Sequence, residues 1–86
     1  MSYAITFKVS AEKAFLDLDK SLQRRIAKKL EALSVDPLSQ GAEKLRGFEF
    51  YRVRVGDYRV IYEIHGEKLV VLILRIAHRR EAYRDL

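Results

Sequence analysis

The chain has 86 residues, enough for one small domain, so residues 1–86 are expected to fold as a single unit. Seventeen Lys and Arg against twelve Asp and Glu leave a net charge of +5, which favours an anionic partner and says nothing about fold. There is no cysteine, which excludes a disulfide scaffold or a thiolate metal site, and no apolar run reaches membrane-span length, so a cytoplasmic protein with no membrane partner is expected.

Tyr3, Ile5, Phe7 and Val9 alternate with other residues and predict a first strand with one buried face. Ser10 is placed to cap a short helix carrying Ala11, Ala14, Phe15 and Leu18 at helical spacing. Asp19 can cap a second helix, whose Leu22, Ile26, Leu30 and Leu33 make one apolar stripe. Lys20, Arg24, Arg25, Lys28, Lys29 and Glu31 fill its other faces. They read as a solvated surface, with RNA or ribosome docking as the alternative. The helix should end before Asp36-Pro37, because the residue preceding proline is pushed out of the α region. Residues 38–47 read as a connector.

The next stretch, residues 50–62, alternates apolar and polar residues on both sides of Gly56-Asp57 and predicts a β-hairpin. Glycine at the first loop position suits a two-residue type II′ turn, since it takes positive φ without strain. That turn pairs Val55 with Tyr58, Arg54 with Arg59, Val53 with Val60 and Arg52 with Ile61. Tyr51, Val53, Val55, Tyr58, Val60 and Tyr62 then share one face. Phe50, Arg52, Arg54, Arg59 and Ile61 share the other. Arg54 and Arg59 stand opposite each other, which is destabilising. Three guanidiniums on one face with no acid opposite suggest a polyanion site, weighed against a plain wet sheet face.

A second turn at residues 65–67 leads into a near-continuous apolar run, residues 68–77, that reads as a strand covered on both sides. A three-residue loop puts Arg75 on the arginine face and Val70, Leu72, Leu74 and Ile76 in the core. A two-residue loop reverses this. The first is preferred because it keeps Arg75 out of the core. The tail from His78 onward is basic and polar. The expected fold is α+β: strand, helix, helix, then three antiparallel strands, with both helices on one face of the sheet.

No nucleophile triad, phosphate-binding glycine loop or metal-binding histidine helix is present, and no metal or cofactor is expected. What remains is arginines and one tyrosine. Arg79 follows the last strand and Tyr83 lies four residues on, within reach of the Gly56-Asp57 end of the arginine face. Arginine holds phosphate bidentately and stabilises charge developing on it. Tyrosine can move a proton where nearby cations favour its phenolate. RNA brings its own nucleophile, the 2′-OH. Taken alone, Tyr83 reads as a packing residue.

The chain resembles the RelE branch of the RelE/ParE superfamily, toxins of bacterial and archaeal toxin–antitoxin pairs. The resemblance spans nearly the whole chain. It is carried by Lys44-Leu45-Arg46-Gly47, by the hairpin Tyr51-Arg52-Val53-Arg54-Val55-Gly56-Asp57-Tyr58-Arg59-Val60-Ile61-Tyr62, and by Ile76-Ala77-His78-Arg79-Arg80-Glu81-Ala82-Tyr83. It implies an mRNA interferase acting on mRNA in the ribosomal A site and neutralised by a RelB-like antitoxin. It also implies Arg59, Arg79 and Tyr83 as catalytic residues, with Arg52 and Arg54 on the RNA. Arg75, from its place on the arginine face, and His78 and Arg80, next to Arg79, are expected to join them on the RNA, with Arg80 as the alternative to Arg79 at the phosphate and His78 as a candidate partner in proton transfer. The second-strand lysines of well-known members are arginines here. The alternatives are a ParE-like toxin that binds DNA gyrase, and an RNA-binding module without chemistry.

Overall fold

The computed structural model describes residues 2–39 and 41–84. The elements run β1 (Ala4–Phe7), α1 (Val9–Leu16), α2 (Lys20–Val35), β2 (Glu43–Lys44), β3 (Tyr51–Val55), β4 (Tyr58–His65) and β5 (Val70–His78). The strands form one five-stranded sheet in the order β1-β5-β4-β3-β2. The expected α+β fold is present. Two features of the sheet go beyond the expectation. The two-residue β2 adds an edge strand inside the predicted connector. The first strand joins β5 in parallel, whereas the other pairs are antiparallel.

The helices form for local reasons that the sequence carries. In α2 the Asp19 carboxylate accepts a hydrogen bond from the Leu22 N–H at 2.9 Å, satisfying one of the donors that a helix start leaves orphaned. At the other end Asp36, ahead of Pro37, is extended at φ −145°. Ile26, Leu30 and Leu33 are buried, and Leu22 is half-buried beside them. In α1 the expected cap is corrected. The helix begins one residue before Ser10, with Lys8 in the capping position and no side-chain bond there. Val9 is thus helical and exposed. The Lys8 N–H instead donates to the Ile73 carbonyl at 2.9 Å, carrying the parallel ladder up to the helix start. The Gln23 amide of α2 donates to the Phe15, Leu16 and Leu18 carbonyls and closes the corner between the helices.

One face of the sheet packs under the helices. Val53, Val55, Val60, Tyr62, Val71, Ile73 and Ile76 are buried there with Ala11, Ile26, Leu30 and Leu33. The hairpin register is the predicted one, residue for residue. Gly56 has φ +59°, as the first position of a type II′ turn requires.

The register of β5 departs from the expectation. The loop before it has four residues, 66–69, because His65 pairs with Val70. Leu69 takes positive φ, 52°, to close it. That parity directs Val71 and Ile73 into the core rather than Val70, Leu72 and Leu74, which stay half-buried. A register shift follows: Tyr62 pairs with Ile73 but Ile61 with Arg75, so Leu74 is an extra residue. This bulge turns Ile76 inward and Arg75 outward. Those two assignments therefore hold, but through a bulge and not through loop length.

Candidate functional site

The second face of the sheet divides into two parts. Towards β1 it is apolar, with Leu72, Leu74 and the fully buried Ile61. Towards the Gly56-Asp57 turn it carries the arginines. Arg54 is directly opposite Arg59, and Arg59 is opposite Ala77 on its other side. Backbone pairing thus holds the two guanidinium-bearing residues together despite their repulsion. Arg59 donates to the carbonyls of its own turn, Tyr58 at 3.1 Å and Gly56 at 3.4 Å. Arg54 is exposed and has no hydrogen-bond or ion-pair partner among the described residues.

Arg52 corrects the picture of a face without acids. Its Cα partner on β2 is Glu43, and its guanidinium meets that carboxylate at 2.6 Å. Its side chain is only 13 % exposed. Arg52 is therefore largely neutralised at the sheet edge, while among the described residues no carboxylate pairs with Arg54 or Arg59. Sequence reading missed this because Glu43 lies in a stretch with no strand periodicity.

The tail folds back beneath this face. The Arg79 N–H donates to the Asp57 carbonyl at 2.7 Å, tying the start of the tail to the hairpin turn. The His78 carbonyl accepts from the Glu81 and Ala82 N–H groups, which makes one helical turn. Arg75 donates to the Ala82 carbonyl at 3.0 Å and to the Arg84 carbonyl at 2.6 Å. Ala82 is fully buried. Because Arg75 pairs with Ile61 across the ladder, this places the tail over the middle of the second face. Tyr83 is 41 % exposed, and its hydroxyl has no partner among the described residues. The His78 ring meets Tyr58 edge-on at 5.8 Å. Arg79 and Arg80 are exposed.

Of the eight candidates, Arg54, Arg59 and Arg79 share the turn end of the face, and Tyr83 rides on the docked tail. Arg52 is diverted to Glu43, Arg75 is engaged with the tail backbone, and His78 joins strand to tail. The basic residues of α2, which the sequence leaves between solvated surface and RNA docking, include one cluster beside this site. Arg25, Lys28 and Lys29 of α2, with Arg54, Val55 and Gly56, line an open groove of about 430 Å³ on the helix side of the same turn. A Cβ added to Gly56 would lie 3.1 Å from the Arg25 guanidinium. Their spacing was a usable signal: positions i, i+3 and i+4 share one helix face.

Residues 5–83 match the family described as "ParE toxin of type II toxin-antitoxin system, parDE". Toxin RelG of Mycobacterium tuberculosis is 35 % identical over 98 % of this chain and 99 % of its own length. The mRNA interferase toxin RelE of Escherichia coli K12 is 28 % identical over 95 % of this chain and 88 % of its own. The archaeal RelE from the Pyrococcus horikoshii RelE–RelB complex superposes with a TM-score of 0.81 at 32 % identity, covering 95 % of this chain and all of that one. Family match, sequence relatives and fold agree: the chain is a RelE-like toxin of the RelE/ParE superfamily, from the type II toxin–antitoxin class.

Proposed function

We propose that this toxin is a ribosome-dependent endoribonuclease that cuts mRNA in the A site and is neutralised by a RelB-like antitoxin. The observation that carries this reading is the convergence at the Gly56-Asp57 turn. Arg54 and Arg59 face each other there, Arg79 is tied to Asp57, and the tail bearing Tyr83 is docked beneath. Each has a role in one reaction. The 2′-OH of a ribose attacks the adjacent phosphorus, the bond to the 5′ oxygen breaks, and a 2′,3′-cyclic phosphate is left. Tyr83, as its phenolate, takes the 2′-OH proton, and the departing 5′ oxygen takes a proton from water. Arg59 and Arg79 stabilise the charge that builds on the phosphate oxygens. Arg54, unpaired with any carboxylate among the described residues, holds the neighbouring backbone. The relative named an mRNA interferase supports this chemistry, and the relative solved with RelB supports the partner. The antitoxin is expected to lay acidic and apolar segments on a domain of net charge +5.

The ParE name of the matching family favours a second reading, gyrase inhibition without RNA chemistry. Arg59, Arg79 and Tyr83 together argue against it. Programmed ribosomes incubated with the toxin separate the two. Cut mRNA with gyrase supercoiling unaffected supports the nuclease, and intact mRNA with blocked supercoiling refutes it.

A further inference from the structure

We infer that Arg75 is a positioning residue whose task is to fix Tyr83, and that it does not contact RNA. The inference rests on the proposed function for what Tyr83 does, and on the structure for how it is held. Arg75 donates through one nitrogen to the carbonyls of Ala82 and Arg84, the residues on either side of Tyr83. Both bonds are charge-assisted, the stronger class of hydrogen bond. Two bonds flanking one residue fix its backbone more tightly than either alone. Upstream, Arg79 is pinned to Asp57, and the Ala82 N–H to the His78 carbonyl. Within the tail the Arg84 N–H donates to the Glu81 carbonyl and the Arg84 guanidinium pairs with the Glu81 carboxylate at 3.0 Å; Arg75 supplies a tie from the centre of the sheet.

The bulge at Leu74 makes this contact available. Without the extra residue, the inward alternation of Val71 and Ile73 would continue to position 75 and point the guanidinium into the core. With it, Arg75 reaches the tail, and Ile76 takes the core position. Arg59 also bonds carbonyls, but those of its own turn, which keep it at the turn end of the face; the Arg75 bonds run to the tail and hold its guanidinium against the segment that carries Tyr83. Arg54 is a contrast on the same face, exposed and without a partner among the described residues.

The test is single-turnover mRNA cleavage on programmed ribosomes with Arg75→Gln and Arg75→Lys, each also in the Tyr83→Phe background. Loosening a reacting group by about 1 Å costs up to roughly 100-fold, so Arg75→Gln should cut the rate at saturation about 10–100-fold. The half-saturating ribosome concentration and its salt dependence should not move. Arg75→Lys keeps a cationic donor on the tail and should recover part of the rate. In Tyr83→Phe, Arg75→Gln should cause no further loss. Weaker binding with a shallower salt slope would overturn the inference by making Arg75 a phosphate contact. Additive losses would overturn it by uncoupling Arg75 from Tyr83. If Tyr83→Phe cleaves normally, or the parent cuts no mRNA, the proposed function has failed instead. Hydrogen exchange of residues 79–84 then decides the clamp alone. Faster exchange confined to the tail in Arg75→Gln supports it, and unchanged exchange overturns it.

Discussion

Arg59→Ala removes a guanidinium whose ties among the described residues are two hydrogen bonds to carbonyls of its own turn, at 3.1 and 3.4 Å. Bonds of this kind contribute about 0.5–1.5 kcal/mol each, and less when long and partly exposed. Against that loss stands relief of repulsion with Arg54, directly opposite, on the order of 0.2–1 kcal/mol. The side chain lies on the second face, so its loss opens no cavity among the helices. The net change in stability should stay within about 1 kcal/mol, a melting shift below roughly 8 °C for a domain this size. Catalysis should respond on another scale. Removing one preorganised group that stabilises transition-state charge costs about 10²–10³-fold, or roughly 3–4 kcal/mol. Arg59→Lys keeps the charge but not the planar fork, and should fall between the two. Single-turnover cleavage on programmed ribosomes, with thermal melts of the same preparations, measures both quantities. Cleavage within a few-fold of the parent would refute the arginine assignment. A domain that no longer folds would show that Arg59 is structural.

Tyr83→Phe should slow cleavage by about 10²–10⁴-fold, the usual scale for a lost acid–base group, and leave the half-saturating ribosome concentration unchanged. Gly56→Ala should destabilise the domain by about 1–2 kcal/mol in urea titration, because alanine is strained at φ +59°. Tyr62 donates to the Pro37 carbonyl at 2.6 Å. Burial first, then Tyr51 and Asp36, pushes its pKa up to about 12. The folded state therefore holds this proton more tightly than the unfolded chain, which releases it near pH 10. The stability this contributes, on the order of 2 kcal/mol, is complete below pH 10 and is lost as the pH climbs to 12. Urea midpoints measured from pH 9 to 12 should show Tyr62→Phe less stable at pH 9 and with a flatter alkaline decline.

What the sequence disclosed depended on how local the signal was. The hairpin was legible because Gly56 sets the turn and the turn sets every pair up to Tyr51 and Tyr62. Helix α2 was legible from Asp19, its leucine and isoleucine stripe, and Pro37. The parallel pairing of β1 with β5 joins segments more than sixty positions apart and leaves no local trace. In β5 both faces are apolar, so alternation could not set the register, and neither the four-residue loop nor the bulge announced itself. The site shows the same limit. The arginine pairing followed from the turn. The neutralisation of Arg52 needed β2, and the hold of Arg75 on the tail uses main-chain acceptors that any residue would present.

The division of the arginines by their partners bears on where a polyanion would act. A uniform basic face would attract RNA anywhere along it and favour no register. Here Arg52 is matched by Glu43, and Arg75 is occupied with the tail carbonyls. Among the described residues Arg54, Arg59 and the exposed Arg79 and Arg80 lie at or next to one turn, with Arg25 and Lys28 on its helix side. Solvent ions screen exposed charges beyond about 8–10 Å, so a cluster this local governs close contacts more than distant attraction. Under the proposed reading, that concentrates transition-state charge stabilisation at the end of the face where the tail begins. On the same proposed reading, a hairpin turn with glycine at its first position has a use. Opposed guanidiniums drift apart on a frayed hairpin, and only a fixed register keeps both beside one phosphate. The repulsion between Arg54 and Arg59 is then a cost of function borne by the free toxin, relieved when an anion sits between them.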